Sequence, residues 1–503
     1  MTRETIERIA SGEDHLNHCE FSPDVVVVKS DPAGGRPVYL HASGSRLRLS
    51  ENLPALLDSL NQSGELEIID GCFSHYLQHY AVPLPWSCYR GVWIAGCGDR
   101  LEARLDSTGI WRVNRSIDFP FALTKSRQDS DPSTSGLGEV LRDSVDAALT
   151  GASGKALFLS GGKDSIPLAI AAADAGHSDL LCVTYGSTSG ADETEVARKV
   201  AGTLGLRHHA FDVRIDPNTT SDAIIRYFEG APIPNVDFAA LSYPVMAAHL
   251  DLAGYTVLDG MGNDVFIGHV PPAAVEAKKR RRLPEALQRA GRAIYPSDLP
   301  LSNLLRTEAQ LDSLRGCFFP REEARFNPNT LDTFPFWSDA LDKARAYPDP
   351  FDRRAFLRGR YLDQETFMRK VRNAADAFGW ALRFPWCDPV VVDHVFNLPE
   401  AFRFDRTYSK NKVLIRSHIR ERVGIDSDAV GKNVFGFDYV EILRVCQDLV
   451  LSEIASCPAW KPGAAAYAER LYAEGLEHRD NAKRLYCMFM LSGWRNHCRH
   501  LRA

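Results

Sequence analysis

KALFLSGGKDS (residues 155–165) runs from a hydrophobic segment into a glycine-bearing turn, and SIPLAIAAADAG (165–176) follows it with an apolar helical pattern. Strand, turn and helix in that order can present backbone N–H groups and the positive end of a helix to phosphates, while Gly161 and Gly162 let the backbone approach closely. Asp164 narrows the reading. A carboxylate beside polyphosphate repels it unless a divalent cation stands between them, so Asp164 suggests a Mg2+ ligand. The plain alternative is an ordinary strand-to-helix turn with Asp164 as a cap. The turn is not a Walker A loop, which needs G-x-x-x-x-G-K followed by Ser or Thr.

On either side of this stretch the pattern alternates. EVLRDSVDAALTGA (139–152) is amphipathic, LLCVTYG (180–186) reads as a strand and ETEVARKVAGTLG (193–205) as a helix. Strand, helix, strand at this spacing implies a parallel sheet with crossover helices. From about Arg353 onward helical periodicity dominates. Upstream, DVVVVK (24–29), PVYLHAS (37–43), GVWIAG (91–96) and LEARLD (101–106) read as short strands between Gly, Asp and Pro turns, whereas TRETIERIA (2–10) reads as a short amphipathic helix. LTKSRQDSDPSTSGLG (123–138) is polar and Ser- and Asp-rich, a linker composition. The expectation is an α/β protein with a β-rich domain over 1–122, a linker over 123–138, and a parallel-sheet domain with a large helical portion over 139–503.

Composition bounds the function. A length of 503 residues, 45% hydrophobic and 25% charged, is ordinary for a globular protein, and a net charge of −6 argues against a dedicated nucleic-acid binder. Eleven cysteines without a C-x-x-C pair fit neither a zinc ribbon nor a disulfide framework, so reduced, mostly buried thiols are expected. No signal-peptide core and no run of 18 apolar residues is present, which predicts a cytoplasmic protein without a membrane partner. KKRRRLPEALQRAGR (278–292) is either a solvated helix face or a surface for an acidic substrate or partner. His208 and His209 lack nearby carboxylate or Cys spacing and read as strand or core histidines; Trp380 and Trp386 read as packing groups.

SGGKDS resembles the pyrophosphate loop of ATP pyrophosphatases, and five further segments follow in order. TYGSTSGADETEVARKVAGTLGLRHHAFDV (184–213) resembles the asparagine synthetase stretch of strand, acidic turn, helix and His-His pair. VLDGMGNDVFIGH (257–269) resembles the second loop, S-G-E-G-x-D-E-x-F-x-G, and places Asp264 100 residues after Asp164, a separation similar to that of the two metal-binding Asp residues in β-lactam synthetases. ALRFPWCDPVVVDHVFNLP (381–399) and SKNKVLIR (409–416) resemble the R-x-P-F-L-D and T-K-x-x-L-R runs, and GKNVFGF (431–437) the K-x-x-F segment. The chain is thus similar to the asparagine synthetase-like family, which includes β-lactam synthetases and lasso-peptide cyclases. DGCFSHYLQHYAVPLPWSCYRGVWIAG (70–96) resembles the late part of the family's glutamine-hydrolysing domain, but Thr2 stands where its nucleophilic Cys would be. A degenerate, Ntn-hydrolase-like domain is therefore implied, with the amine supplied by the acceptor itself.

The resemblance implies an ATP-dependent ligase that adenylates a carboxylate, releases pyrophosphate and forms an amide. Its cofactors would be ATP and Mg2+, with Asp164 and Asp264 as metal ligands. Ser160, Gly161, Gly162 and Ser165 would cradle the phosphates, and Lys163 would add charge or point to solvent. Leu159, Tyr185 and Gly260 would contact the nucleoside. Lys432 stands where relatives carry a catalytic lysine, with Lys412 and Arg416 as weaker candidates for phosphate contact. Met261 departs from the pattern, standing where asparagine synthetases carry Glu and β-lactam synthetases Tyr, and Val265 replaces an acidic residue. These departures favour a specialised branch such as lasso-peptide macrolactam cyclases, acting on a peptide or small-molecule carboxylate and amine, with a protease or leader-peptide-binding protein as partner. The alternatives are an amidotransferase or β-lactam synthetase-like cyclase, and a non-catalytic ATP-binding scaffold.

Overall fold

Alternating apolar residues build the amino-terminal part in the computed structural model, which describes residues 6–9, 19–117, 130–186, 193–212, 215–267, 283–284, 287, 317–347, 350–408, 410–427 and 437–501. The strands there are β1 (Ile6–Arg8), β2 (Cys19–Phe21), β3 (Val25–Lys29), β4 (Val38–Ser43), β5 (Arg46–Ser50), β6 (Val92–Ala95), β7 (Asp99–Leu105) and β8 (Trp111–Ile117). They form two four-stranded sheets, β1-β5-β4-β6 and β2-β3-β7-β8. Val26, Val28, Leu101 and Ala103 of one sheet share a buried cluster with Val38, Leu40, Leu47 and Leu49 of the other, as the two-residue period of a strand requires. Helices α1 (Leu53–Gln62) and α2 (Cys72–His79) belong to the main core of the molecule through Leu56, Leu57, Phe73 and Leu77.

The helix expected over 2–10 is corrected: within it, Ile6–Arg8 is a strand, parallel to β5 with Ile6 opposite Leu47. One or two helical turns fix many dihedrals for few hydrogen bonds, whereas the open edge of β5 offers backbone partners at once. Glu7 then pairs with Arg48 at 2.6 Å. Helix α3 (Thr134–Leu149) begins inside the segment expected as a linker, with the Ser133 side chain accepting from Gly136 N–H.

The carboxy-terminal part is a parallel sheet covered by helices. In chain order come β9 (Gly154–Phe158), α4 (Ile166–Asp174), β10 (Leu181–Gly186), α5 (Glu193–Leu204), β11 (Arg207–Asp212), α6 (Pro217–Gly230), α7 (Ser242–Ala247), β12 (Tyr255–Leu258), α8 (Asp264–Ile267) and β13 (Ala381–Arg383). The sheet order is β11-β10-β9-β12-β13, and every pairing is parallel. The chain therefore builds outward from β9 to β11, then returns to place β12 on the other side. At such a reversal the loops leaving neighbouring strands diverge, and a crevice opens at their carboxyl ends. The turn 159–165 follows β9 and the turn 259–263 follows β12, so the two motifs flank that crevice.

A π-helical stretch, Gly359–Met368, joins the α-helices Pro350–Arg358 and Arg369–Phe378 and ties the sheet to the amino-terminal part. Arg360 is fully buried, ion-paired to the equally buried Asp99, and donates to the Cys97 carbonyl at 2.9 Å. Arg372 donates to the Gly34 carbonyl at 2.6 Å. The two parts share one continuous apolar core, through which the 19-residue helix Arg479–His497 runs. Nine of the eleven cysteines are buried and all are free. No described helix is long and apolar enough to cross a membrane.

Candidate functional site

The turn after β9 is closed on itself by its serines. Ser160 N–H donates to Ser165 Oγ at 3.0 Å, and Gly162 N–H to Ser160 Oγ at 3.1 Å. Thr184 of β10 secures the strand end by donating to the Leu159 carbonyl at 2.6 Å, and its hydroxyl lies 2.9 Å from His208 Nε2. His208 thus supports the strand, and His209 packs edge-on against Phe211 with ring centroids 4.3 Å apart.

The turn after β12 leans directly on this loop. A Cβ built on Gly260 would lie 2.8 Å from the Asp164 carbonyl carbon and 2.9 Å from its oxygen, so the two turns approach this closely only because residue 260 is glycine. Asn263 Nδ2 donates to Asp164 Oδ1 at 2.6 Å, and the Trp386 indole N–H donates to the Asp164 carbonyl at 2.7 Å. Neither contact was anticipated from the sequence. Asn263 occupies a variable position of the loop pattern, and Trp386, fully buried as a packing residue should be, also fixes the backbone of the acidic turn.

Asp164 and Asp264 converge on one ammonium group. Lys412 Nζ pairs with Asp264 Oδ1 at 2.9 Å and with Asp164 Oδ1. Lys412 is 4% exposed and caps the helix Val413–Val423 with a left-handed backbone, φ 60°, a conformation uncommon for a lysine. Burial alone would lower the pKa of this ammonium, but the two carboxylates outweigh it and hold the group protonated, well above its ordinary value. One turn along the helix, Arg416 Nε donates to the Asn411 carbonyl at 2.6 Å.

A cavity opens beside Asp164 and Asp264; Lys412 and Arg416 do not line it. Of the residues singled out in the sequence, Leu159, Ser160, Asp164, Ser165, Tyr185, Gly260 and Asp264 line it, as do Met261 and Val265. Gly161, Gly162 and Lys163 belong to the same turn without lining the cavity. The lining also includes residues that sequence reading passed over: Asp259 at the start of the second turn, Tyr243 and Met246 of α7, and Asp363, Phe367 and Met368 of the π-helical stretch. Burial pushes the Tyr185 phenol up to about 12. Lys432 lies outside the described residues, as does most of 278–292.

Among the described residues, no group of three or more His, Cys, Asp or Glu side chains is arranged to hold a metal. Mg2+ does not need one. It is commonly held by one or two carboxylates together with substrate phosphates, and two carboxylates already gathered about a positive charge are a donor set of that kind.

A family model described as Asparagine synthase matches residues 136–423, more than half of the chain. A Mycobacterium bovis protein and a Mycobacterium tuberculosis protein, each named as a putative asparagine synthetase (glutamine-hydrolyzing), are 26% identical over 404 residues. Those alignments cover 76% of this chain and 60% of each relative, so the chain spans less than two thirds of the length of the proteins it matches. Among solved structures, an NH3-dependent NAD synthetase from Campylobacter jejuni aligns with 45% of this chain and 93% of its own, at 13% identity; its TM-score of 0.22 carries no weight for the fold. With the matched region running from α3 through the turns at Asp164 and Asp264 to the helix that Lys412 caps, the chain belongs to the asparagine synthase family.

Proposed function

We propose that the chain is an ATP-dependent carbon–nitrogen ligase that converts a carboxylate to its acyl-adenylate, releasing pyrophosphate, and passes the acyl group to an amine. The observation that carries this reading is the convergence of Asp164 and Asp264, from the two strand ends beside the sheet reversal, on Lys412. Mg2+ held by Asp164 and Asp264 would neutralise the triphosphate and the departing pyrophosphate. Leu159, Tyr185 and Gly260 line the cavity where the nucleoside would lie, and the turn 160–165, whose Ser160 and Gly162 N–H groups are bonded to serine oxygens within it, would meet the phosphate tail with its other N–H groups. Lys412 places a fixed positive charge at the acidic pair, where charge leaves with pyrophosphate. By its resemblance to the family's catalytic lysine, Lys432 would stabilise charge on the adenylate and on the tetrahedral intermediate.

Within the family, Met261 supports a specialised branch over asparagine synthesis. A lasso-peptide cyclase-like ligase, joining a peptide amine to an Asp or Glu side chain, gains effective molarity because both reactants sit on one molecule. Its partners would be the peptide substrate and a protease or leader-peptide-binding protein. The test is product analysis with ATP, Mg2+ and carboxylate peptides. AMP and pyrophosphate are expected, and loss of both in Asp164→Ala and Asp264→Ala; ADP and phosphate from the wild type would overturn the proposal.

A further inference from the structure

An amine nitrogen that attacks an acyl carbon becomes positively charged, and the tetrahedral adduct with the adenylate collapses forward to the amide only once that nitrogen has lost a proton. A thioether at residue 261 takes no proton at neutral pH. We propose that Asp259, two residues earlier on the same turn, accepts the proton of the attacking amine, an assignment that rests on the ligase reading above.

Asp259 directly follows β12, its N–H bonded to the Arg383 carbonyl at 3.1 Å, so the sheet fixes its backbone. The residue is 4% exposed and lines the same cavity as Asp164 and Asp264. Its Oδ1 accepts the Met261 N–H at 2.9 Å, and no ion pair engages the carboxylate among the described residues. The ionisable groups that act on it are Lys370 of the helix Arg369–Phe378, Asp164 of the facing turn and Tyr243 of α7. Lys370 is itself paired to Asp237 at 2.8 Å. Burial pushes the Asp259 carboxyl up to about 6, against the Met261 N–H and Lys370 and with Asp164 adding to the rise. A group so placed is ionised at neutral pH yet basic enough to take a proton from the adduct, whereas burial drives the Tyr243 phenol well above its ordinary value.

In the step assigned to it, the amine lone pair forms the C–N bond and the carbonyl π pair moves onto oxygen. An N–H proton passes to the Asp259 carboxylate. The oxygen lone pair then re-forms the carbonyl, and the acyl C–O bond breaks with its electrons leaving on AMP. Asp259 returns the proton to water, so the net change is acyl-AMP plus amine giving amide, AMP and a proton.

The experiment separates the two half-reactions. ATP–pyrophosphate exchange over the common amino acids and Asp- and Glu-containing peptides identifies a donor. That donor is then offered methylamine or hydroxylamine, the latter largely unprotonated at neutral pH and less dependent on a base. Asp259→Asn is expected to keep exchange and hydroxamate formation while methylamide formation falls by about 10²- to 10⁴-fold. Met261→Glu added to Asp259→Asn should restore part of the loss by supplying a carboxylate from the same turn. Asp259→Ser repeats the test with a smaller group that still accepts the Met261 N–H. A wild-type methylamide rate in Asp259→Asn, equal losses with both acceptors, or an amine-selective loss in Asp363→Asn instead would overturn the assignment while leaving the ligase reading intact. Absence of exchange in the wild type would remove the ligase reading and this assignment with it.

Discussion

Lys412 combines three features that a surface lysine does not: near-complete burial, a left-handed backbone and two carboxylate partners. A non-glycine residue in that region of φ costs about 1–3 kcal/mol and persists where its surroundings hold it. Asp164 and Asp264 supply that hold. Lys412→Met should therefore leave two carboxylates facing each other without a counter-charge, and slow pyrophosphate release by roughly 10²- to 10³-fold. Lys412→Arg should not restore it, since a planar fork cannot take the place of a compact ammonium between two oxygens. Single-turnover release of pyrophosphate checks both, and wild-type rates in Lys412→Met would show that the ammonium is structural. In the sequence Lys412 ranked behind Lys432, because one basic residue in SKNKVLIR looks like any helix face. Its distinction comes from contacts 248 and 148 positions away along the chain, which no local pattern records.

Two turns make the site, and their contact depends on the missing side chain of Gly260. Gly260→Ala should force the turns apart at the Asp164 carbonyl, destabilising the fold by about 1–3 kcal/mol as overpacking does and weakening ATP binding further. Urea midpoints and nucleotide titration measure the two effects; an unchanged midpoint would mean that the turns can part without cost. Both turns were legible in the sequence, since each is a hydrophobic strand running into Gly and Asp, and the reversal of strand order beside them turns two motifs into one crevice. The π-helical wall was not legible. GRYLDQETFM carries no signal that separates a π-helix from an α-helix, so Asp363, Phe367 and Met368 were missed. The strand Ile6–Arg8 was misread because a three-residue pairing is decided by the edge it meets rather than by its own propensity.

Across the whole molecule, the amino-terminal sheets and the parallel sheet are joined through buried charges. Arg360 and Asp99 are both fully buried, and removing one partner leaves the other uncompensated. Arg360→Met should cost about 3–5 kcal/mol in urea unfolding, whereas Arg360→Met with Asp99→Leu should recover much of it. Equal losses in single and double variants would indicate that packing, not charge, joins the two parts. The alternation of patterns along the chain foretold two regions of different architecture, but their shared core depends on Arg360, Arg372 and the backbone of Ala33 to Gly35, polar groups that read as surface in a sequence.

In the proposed reaction an acid oxygen becomes bonded to the α-phosphorus of ATP within this crevice. Labelling the donor carboxylate with 18O and weighing the released AMP tests it most directly. One 18O atom in each AMP formed is the predicted result; unlabelled AMP, or label in inorganic phosphate beside ADP, would contradict the account.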